Sequence, residues 1–406
     1  MNIKQILKEV LEEIKSSEDI SEVNEFLNRL NKELYRNKVN AKAVFGGSFA
    51  KGVWLKGDYD VDIFVKFNIR YKTDELSDLL EKSLKKFKPV RVHGSRDYFH
   101  IKNSINYEIV PVLDIKNSKD AKNVTDFSPL HVKWVNSKGN KIKDEIMLTK
   151  KFMKAQGIYG AENYIRGFSG HVVDILVIYY DGFLQLLREA TKWKAKQIID
   201  IKNNYKGKAL LMINKSKTEG PLVIIDPVQP DRNAAAAVGD EKFNKFIKSA
   251  KEFLRNPSRR LFVEQKINIE DLKKNKSSIL IEIKSLSGKE DIVGAKILKS
   301  FDFIKKELTE FGIIKSGWQW DKKEKAIFWF LVKNKQLPKT FIREGPPLKL
   351  TEHVKKFKQK HKRTMIKNNK IYGIIKRKST NINKFSDSLL KDKYLSDKVK
   401  SIKVIK

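Results

Sequence analysis

Two acidic residues stand two positions apart at the start of an apolar run, in the segment GGSFAKGVWLKGDYDVDIFV, residues 46–65. Side chains alternate between the two faces of a strand, so Asp60 and Asp62 point the same way if this segment is extended. Two like charges on one face repel each other, and burying them is costly unless a cation compensates them. The sequence leaves three candidates for their partner: a metal ion, a basic side chain or open water.

A third carboxylate, Glu108, lies in another apolar strand-like segment, YEIVPV. Three carboxylates on neighbouring strands suit two magnesium ions, since Mg²⁺ prefers oxygen ligands and also takes substrate phosphates. Two such ions clamp the attacking and leaving oxygens of an in-line phosphoryl displacement. The nearby turn fits the same chemistry, because Gly47 lets the backbone approach a phosphate and Ser48 adds a hydroxyl donor.

The charge of the chain is its strongest bulk property: 85 Lys and Arg against 49 acidic residues give a net charge of +36. A field of that size attracts polyanions, of which nucleic acid is the usual one, although a general lysine bias would give the same count. There is no Cys, and the six His residues lack zinc-site spacing. No apolar run approaches the roughly 20 residues of a membrane span. With no signal or transit peptide pattern at the N-terminus, these features predict a cytoplasmic protein without membrane contact.

Hydrophobic periodicity predicts a multidomain α+β chain. Strands alternate with helices in residues 1–140, and residues 141–257 are mainly helical, with one strongly apolar segment, GHVVDILVIYYDGFLQLLREATKW, predicted as a core helix. Residues 258–406 form a small α+β domain. Within it, regular structure is predicted to break over 343–350, and a lysine-rich helical tail is predicted from Thr351.

Several motifs together resemble a known family. A Gly-Ser turn, an acid–apolar–acid triplet and a later acid resemble the nucleotidyltransferase superfamily of polymerase β. With LTKKFMKAQGIYGAENYIRGFSGH and DPVQPDRNAAAAV, the resemblance narrows to the archaeal, class I CCA-adding enzymes, whose core is related to eukaryotic poly(A) polymerases. It covers about the first 255 residues, and GPPLKLTEHVKKFKQKH is similar to the family's C-terminal part.

The resemblance implies a tRNA nucleotidyltransferase that adds C, C and A to the tRNA 3′ end from CTP and ATP without a nucleic-acid template. The 3′-hydroxyl would attack the α-phosphate in line and release pyrophosphate. Residues 1–140 would be a palm-like catalytic head with a mixed sheet, 141–257 a central base-selecting domain, and 258–406 the tRNA-binding body and tail. The family also suggests a homodimer.

The resemblance also assigns roles to individual residues. Two Mg²⁺ ions would be held by Asp60, Asp62 and Glu108. Seven further residues would contact the nucleotide: Gly47, Ser48, Lys51, His131, Lys150, Tyr159 and Arg232. Ser48 and Lys51 would hold the triphosphate, and Lys150 and Tyr159 would form a second phosphate-binding pair. Arg232 would read the incoming base with help from the tRNA backbone.

Four positions depart from the family pattern. Glu108 stands where Asp is usual and Asp60 where Glu is common, so the two changes in reach can compensate each other. Lys51 stands where the family commonly has Arg, which keeps the charge but loses the bidentate fork. His171 occupies the position of a usual Tyr after FSG. The C-terminal region is also somewhat short for the family.

Two alternatives remain open at the level of sequence. The first is a terminal nucleotidyltransferase of another specificity on the same core, such as a poly(A) or oligoadenylate synthesiser, because selection between CTP and ATP depends on pocket shape. The second is a catalytically silent RNA-binding protein on the same fold. The intact set of three carboxylates argues against the second alternative.

Overall fold

A computed structural model describes residues 2–15, 20–57, 60–102, 104–264, 268–377 and 379–405. The chain divides into two compact units, Met1–Gln265 and Lys266–Lys406. Both units combine helices with sheets, so the predicted multidomain α+β class is confirmed. The finer boundaries predicted after residues 140 and 257 stay predictions.

The helices of the first unit are α1 (Ile3–Ile14), α2 (Ser21–Arg36), α3 (Gly47–Lys51), α4 (Leu76–Leu84), α5 (Ser128–Gly139), α6 (Lys143–Ala155), α7 (Gly170–Tyr180), α8 (Phe183–Ala190), α9 (Ala209–Met212) and α10 (Asp240–Arg255). Its strands are β1 (Ala41–Phe45), β2 (Val61–Phe67), β3 (Val90–Val92), β4 (Tyr98–Lys102), β5 (Asn106–Leu113), β6 (Gln197–Ile199) and β7 (Leu222–Ile224).

A mixed five-stranded sheet in the order β1-β2-β5-β4-β3 positions the acidic residues. Strands β2 and β5 run parallel, and the other neighbours are antiparallel. Ile63, Val65 and Ile109 point to one face, where α2 and α4 cover them with apolar residues at helical spacing. Asp62 and Glu108 belong to the opposite set of alternating positions and therefore face away from that core.

Helices α6, α7, α8 and α10 contribute to a second apolar core of the first unit. The predicted core helix over GHVVDILVIYYDGFLQLLREATKW is in fact two helices, because Asp181 and Gly182 adopt positive φ angles of 55° and 123° that end α7. Among the described residues, no single helix is long and apolar enough to cross a membrane. The pair α7 and α8 reaches that length only together, across a bend of 92°.

The second unit contains α11 (Ile269–Lys274), β8 (Ser278–Lys284), α12 (Glu290–Glu307), β9 (Ile313–Trp320), β10 (Lys325–Val332), β11 (Thr340–Pro347), α13 (Thr351–Lys360), β12 (Thr364–Lys367), β13 (Lys370–Lys376), α14 (Ile382–Leu389), α15 (Lys393–Ser396) and β14 (Ser401–Val404). One sheet has the order β14-β8-β10-β9 and packs against α12. A second sheet has the order β11-β13-β12.

Two expectations for the C-terminal region are wrong. Residues 343–350 do not break regular structure throughout, because β11 extends to Pro347 and pairs with β13. The chain beyond Thr351 is not helical throughout either, since β12, β13 and β14 lie within it. The overlooked signal is the pair Asn368 and Asn369, whose φ angles of 46° and 55° make a tight hairpin turn between two short strands.

Candidate functional site

Asp62 and Glu108 are direct register partners across the parallel strands β2 and β5. His100, on β4, is the partner of Glu108 on its other side, and its Nε2 lies 3.3 Å from Glu108 Oε2. Asp60 immediately precedes β2 and is exposed. The sheet therefore brings the three predicted carboxylates to the same end of the neighbouring strands β2 and β5, where Asp62 and Glu108 lie side by side.

The electrostatic environment of Asp62 is unfavourable for a negative charge on its own side chain. Burial, together with the nearby carboxylates of Glu108 and Asp60, raises the pKa of Asp62 to about 7, against the opposing pull of Lys51 and Lys150. A divalent cation would favour the ionised form of all three carboxylates, and carboxylate oxygens are the donors that Mg²⁺ takes. These residues thus fit the magnesium ions that the family resemblance implies.

At Gly47 the backbone lies very close to the side chain of Asp62. Its φ is 50°, and a Cβ at this position would lie 1.5 Å from Asp62 Oδ2. The neighbouring Gly46 N–H donates a hydrogen bond of 2.7 Å to the Asp62 carbonyl oxygen. Ser48 follows in α3 and is half-buried. Only glycine at position 47 leaves the carboxylate of Asp62 where the sheet places it.

Lys51 and Lys150 belong to one buried charge cluster around Asp174, a residue of α7 that sequence reasoning missed. Lys51 Nζ lies 2.6 Å from Asp174 Oδ2, and Lys150 Nζ donates a hydrogen bond of 3.2 Å to the Val53 carbonyl oxygen. Burial alone would raise the pKa of Asp174, but the two lysines outweigh it and hold that pKa below its usual value. Burial lowers the pKa of Lys150 to about 8.

A second cluster centres on Asp226, which follows β7 and is fully buried. His131 Nε2 lies 3.0 Å and Arg232 Nη1 3.3 Å from Asp226 Oδ2, and His171 Nε2 lies 3.6 Å from the same oxygen. The pKa of Asp226 is held far below its usual range, since the effect of burial is outweighed by both histidines. Burial lowers the pKa of His171 to about 4, so that ring is neutral at pH 7.

Asp62, Glu108, His131 and His171 line one cleft of about 400 Å³. Five predicted site residues line this cleft: Gly47, Lys51, Asp62, Glu108 and His131. His171 lines it as well. Five predicted residues are not part of its lining: Asp60, Ser48, Lys150, Tyr159 and Arg232. Tyr159 stands near the start of α7, where a Cβ on Gly170 would lie 2.8 Å from its hydroxyl oxygen, and Lys154 Nζ lies 5.1 Å from its ring centre.

Arg96 is a further cleft residue that sequence reasoning missed. Its Nη1 lies 2.5 Å from Oδ1 of Asp126, and both side chains are buried. Asp126 also accepts backbone N–H bonds from Leu113, Lys122 and Asn123, which ties the end of β5 to the start of α5. Only weak signals marked these partners in the sequence: Asp174 and Asp226 are acids within or directly after apolar runs, and Asp126 shows none.

Three family models match the chain in succession. Residues 20–124 match a nucleotidyltransferase domain, residues 144–263 match the second domain of tRNA nucleotidyltransferase, and residues 274–402 match the C-terminal domain of CCA-adding enzyme. The matches include Asp60, Asp62 and Glu108, then His171 and Asp226, and most of the second unit, whereas His131 lies between the first two matched ranges.

Curated relatives point the same way. A CCA-adding enzyme of Nanoarchaeum equitans is 35% identical over 342 residues, covering 81% of this chain and 82% of that protein. The CCA-adding enzyme of Methanocaldococcus jannaschii is 30% identical over 405 residues, covering 94% and 89%. Among solved structures, a cytoplasmic RNA terminal U-transferase has a TM-score of 0.52 at 17% identity, covering 65% of this chain and 99% of that one. That likeness shows a shared fold.

Proposed function

Because the chain belongs to the CCA-adding enzyme family, we propose that it adds C, C and A to the 3′ end of tRNA from CTP and ATP without a nucleic-acid template. The observation that carries this proposal is the register of Asp62 and Glu108 at a cleft that Lys51 and His131 also line. Such a cleft offers acidic residues for metal ions and cationic or neutral donors for a nucleotide on adjoining walls.

Asp60, Asp62 and Glu108 would hold two magnesium ions. When bound, these ions would lower the pKa of the tRNA 3′-hydroxyl and neutralise the charge of the triphosphate. The attack of that hydroxyl on the α-phosphate forms the new phosphodiester and releases pyrophosphate. The chain's contribution is to keep the carboxylates adjacent through the β2–β5 register and to leave room beside them through Gly47.

The lysine cluster would bind the triphosphate. Lys51 spends one of its three N–H donors on Asp174, so two remain for phosphate oxygens. Lys150, with its pKa near 8, remains mostly protonated at neutral pH, and an approaching phosphate would stabilise that charge. Ser48 and Tyr159 would add hydroxyl donors to the same group. Asp174 is a positioning residue, since it holds Lys51 in place.

Base selection would depend on the residues around Asp226. Arg232 is about half-exposed and so can contact an incoming base, while Asp226 Oδ2 orients its guanidinium from 3.3 Å away. His131 is held by the same carboxylate and faces the cleft. A site built from oriented polar groups rejects the wrong base because a mismatch leaves those groups unpaired.

The remaining partners follow from charge and family. We expect the C-terminal part, from about residue 258, to bind the body of tRNA through its phosphates. We also expect a homodimer that works in the cytoplasm, where its tRNA substrate is found. Light scattering after size-exclusion chromatography measures the mass of the chain in solution. A monomer mass would contradict the homodimer.

The decisive experiment offers tRNA lacking its 3′ CCA end to the chain with MgCl₂ and labelled nucleotides, singly and together. CTP alone should extend the tRNA by two nucleotides, and CTP with ATP should extend it by three and then stop. Sequencing gels resolve these products. Replacing the tRNA by an unstructured RNA of equal length should abolish extension.

Two other outcomes identify the alternatives. Long tails made from ATP alone, on tRNA and unstructured RNA alike, would indicate a poly(A) or oligoadenylate synthesiser and overturn CCA addition. Tight binding of tRNA without any incorporation would indicate a silent RNA-binding protein.

A further inference from the structure

Two histidines and one aspartate converge from three elements of the first unit. His131 lies on α5, His171 on α7, and Asp226 directly after β7. One potential ligand atom from each residue lies within 4.8 Å of the other two. The sequence hid this group, because the histidines lack the short spacing of a zinc motif.

The distances in this group match those around a metal ion. His131 Nε2 and His171 Nε2 lie 3.0 and 3.6 Å from Asp226 Oδ2. Ligand atoms about 2.1 Å from a tetrahedral zinc ion stand roughly 3.4 Å apart from one another. Small side-chain adjustments would therefore place an ion between these three atoms.

His171 gives an independent indication that a ligand is missing from its surroundings. Both of its ring nitrogens are buried and lack a hydrogen-bond partner, and its side chain is 15% exposed. A buried polar atom without a partner costs free energy, and coordination of an ion would compensate one of them.

Asp226 is prepared for the same role. Its Oδ1 accepts hydrogen bonds of 2.9 and 3.1 Å from the backbone N–H groups of Val228 and Gln229, which fixes the carboxylate. Its Oδ2 is the oxygen that both histidines approach. Hydrogen bonds that orient a ligand in this way are typical of the groups that surround metal sites.

We propose that His131, His171 and Asp226 bind a zinc-class divalent transition metal ion at a site separate from the acidic residues assigned to magnesium. Imidazole nitrogens favour such ions over Mg²⁺, which prefers oxygen. The cleft that both histidines line gives the ion an entry path and leaves a coordination position open to water or phosphate.

A bound ion should also affect nucleotide addition, and this second inference rests on the proposed function. With His131 bound to zinc and Asp226 shared with it, neither residue keeps the arrangement proposed for nucleotide binding. Zinc should therefore inhibit nucleotide addition in the presence of excess magnesium.

Cobalt(II), a spectroscopic substitute for zinc, tests the site directly. The tag-free full chain is titrated with CoCl₂ in a large excess of MgCl₂, which occupies the acidic residues. We expect one ion per chain and the visible absorption of tetrahedral cobalt. His171→Tyr should weaken binding by more than about tenfold, because even groups that only support a ligand are worth that much. His93→Ala removes a histidine whose side chain is 89% exposed and should bind like the wild type.

A second variant changes affinity in the opposite direction. Arg232→Ala removes a cation 3.3 Å from Asp226 Oδ2 and should tighten cobalt binding. A wild-type chain that binds no cobalt under excess magnesium, or a His171→Tyr chain that binds it unchanged, would overturn the site. Thermal melting without metal checks that each variant is folded.

Inhibition is measured separately, by incorporation of CTP at increasing ZnCl₂. Zinc should inhibit the wild type at concentrations that leave His171→Tyr active. Equal inhibition of both would overturn the regulatory consequence. Because cobalt binding requires neither tRNA nor nucleotide, failure of the metal site and failure of the proposed function give different results.

Discussion

Each unit of the chain contains a distinct group of charged residues, and the two groups lie in opposite environments. In the first unit, Lys51, Lys150, Asp174 and Asp226 are each at most 8% exposed and are held by specific partners. In the second unit, the basic helix α13 has no buried residue, and its four lysines are exposed. Buried charges interact strongly at fixed distances, whereas exposed charges act as a screened field. The first arrangement suits chemistry, and the second suits the binding of a polyanion.

The largest effect should come from removing the carboxylate of Asp62, which lies beside Glu108 in the cleft. Asp62→Ala should lower the rate of CTP incorporation at least 100-fold, since a lost metal ligand costs several kcal/mol of transition-state stabilisation. Binding of tRNA, measured by filter retention, should stay within about twofold if it depends on the exposed field. Asp114→Ala, at an acid 53% exposed, is the matched control. More than a tenth of the wild-type rate in Asp62→Ala would remove this carboxylate from the mechanism.

Substitutions at two glycines, Gly47 and Gly57, distinguish a steric clash with Asp62 from the strain of a positive φ angle. Gly47→Ala and Gly57→Ala both place a side chain at positive φ, 50° and 66°, so both should lose roughly 1 kcal/mol of stability or more. Only the first Cβ would strike Asp62, because nothing lies within 4 Å of the second.

The rate of incorporation should therefore fall about tenfold or more in Gly47→Ala alone, since misplacing a reacting group by 1 Å is that costly. Equal rates in the two variants would show that the position of Asp62 is not what Gly47 protects.

Base selection should depend on Arg232. Arg232→Ala should reduce the preference for CTP over UTP about tenfold, because oriented donors reject a base that leaves them unpaired. The measurement is kcat/KM for each nucleotide on tRNA lacking its CCA end. Arg188→Ala, at an exposed arginine of α8, should keep the wild-type preference. A lower rate with unchanged preference would place selection elsewhere.

The raised pKa of Asp62 predicts how stability depends on pH without metal. With a folded pKa of about 7 against 3.8 for the unfolded chain, the folded state binds the extra proton between these values. This residue therefore reduces stability progressively as pH rises from about 4 to about 7.

In EDTA at pH 8, Asp62→Asn should be more stable than the wild type by about 1 kcal/mol or more, and the two should converge near pH 4. Magnesium should shrink or reverse the gain at pH 8. Thermal melts across this range measure it, and parallel pH profiles for the two chains would contradict the raised pKa.

The smallest effect should come from the exposed lysines of the second unit. Replacing the four lysines of α13 by Gln (Lys355, Lys356, Lys358 and Lys360) should raise the tRNA KM a few-fold and flatten the log–log salt dependence of binding. The choice between CTP and ATP should not change.

Helix α12 is the matched control, since it also carries four lysines but balances them with four acids: Lys296, Lys299, Lys305, Lys306, and Glu290, Asp291, Asp302, Glu307. Replacing its lysines should alter the salt slope less. Equal slopes for the two variants would show that α13 is an ordinary solvated helix.

The sequence alone predicted the fold class and part of the candidate site, because the patterns that indicate them are local. The alternation of Asp60 and Asp62 with apolar residues, and the Gly-Ser turn before them, indicate a strand that presents carboxylates. Helical spacing and net charge predicted the α+β class and a nucleic-acid partner. The hairpin turn at Asn368 and Asn369 was equally local, and it was overlooked in favour of lysine content.

Only the tertiary structure decided which residues meet. The register that sets Asp62 against Glu108 depends on a parallel crossover, and no local pattern specifies it. The partners Asp174 and Asp226 look like isolated acids near apolar runs until folding places Lys51 and His131 against them. The cationic and histidine partners then hold the pKa values of Asp174 and Asp226 low against the effect of burial, because removal of water strengthens each charge interaction. Sequence supplied the ionisable groups, and the packing of distant segments determined their partners and protonation.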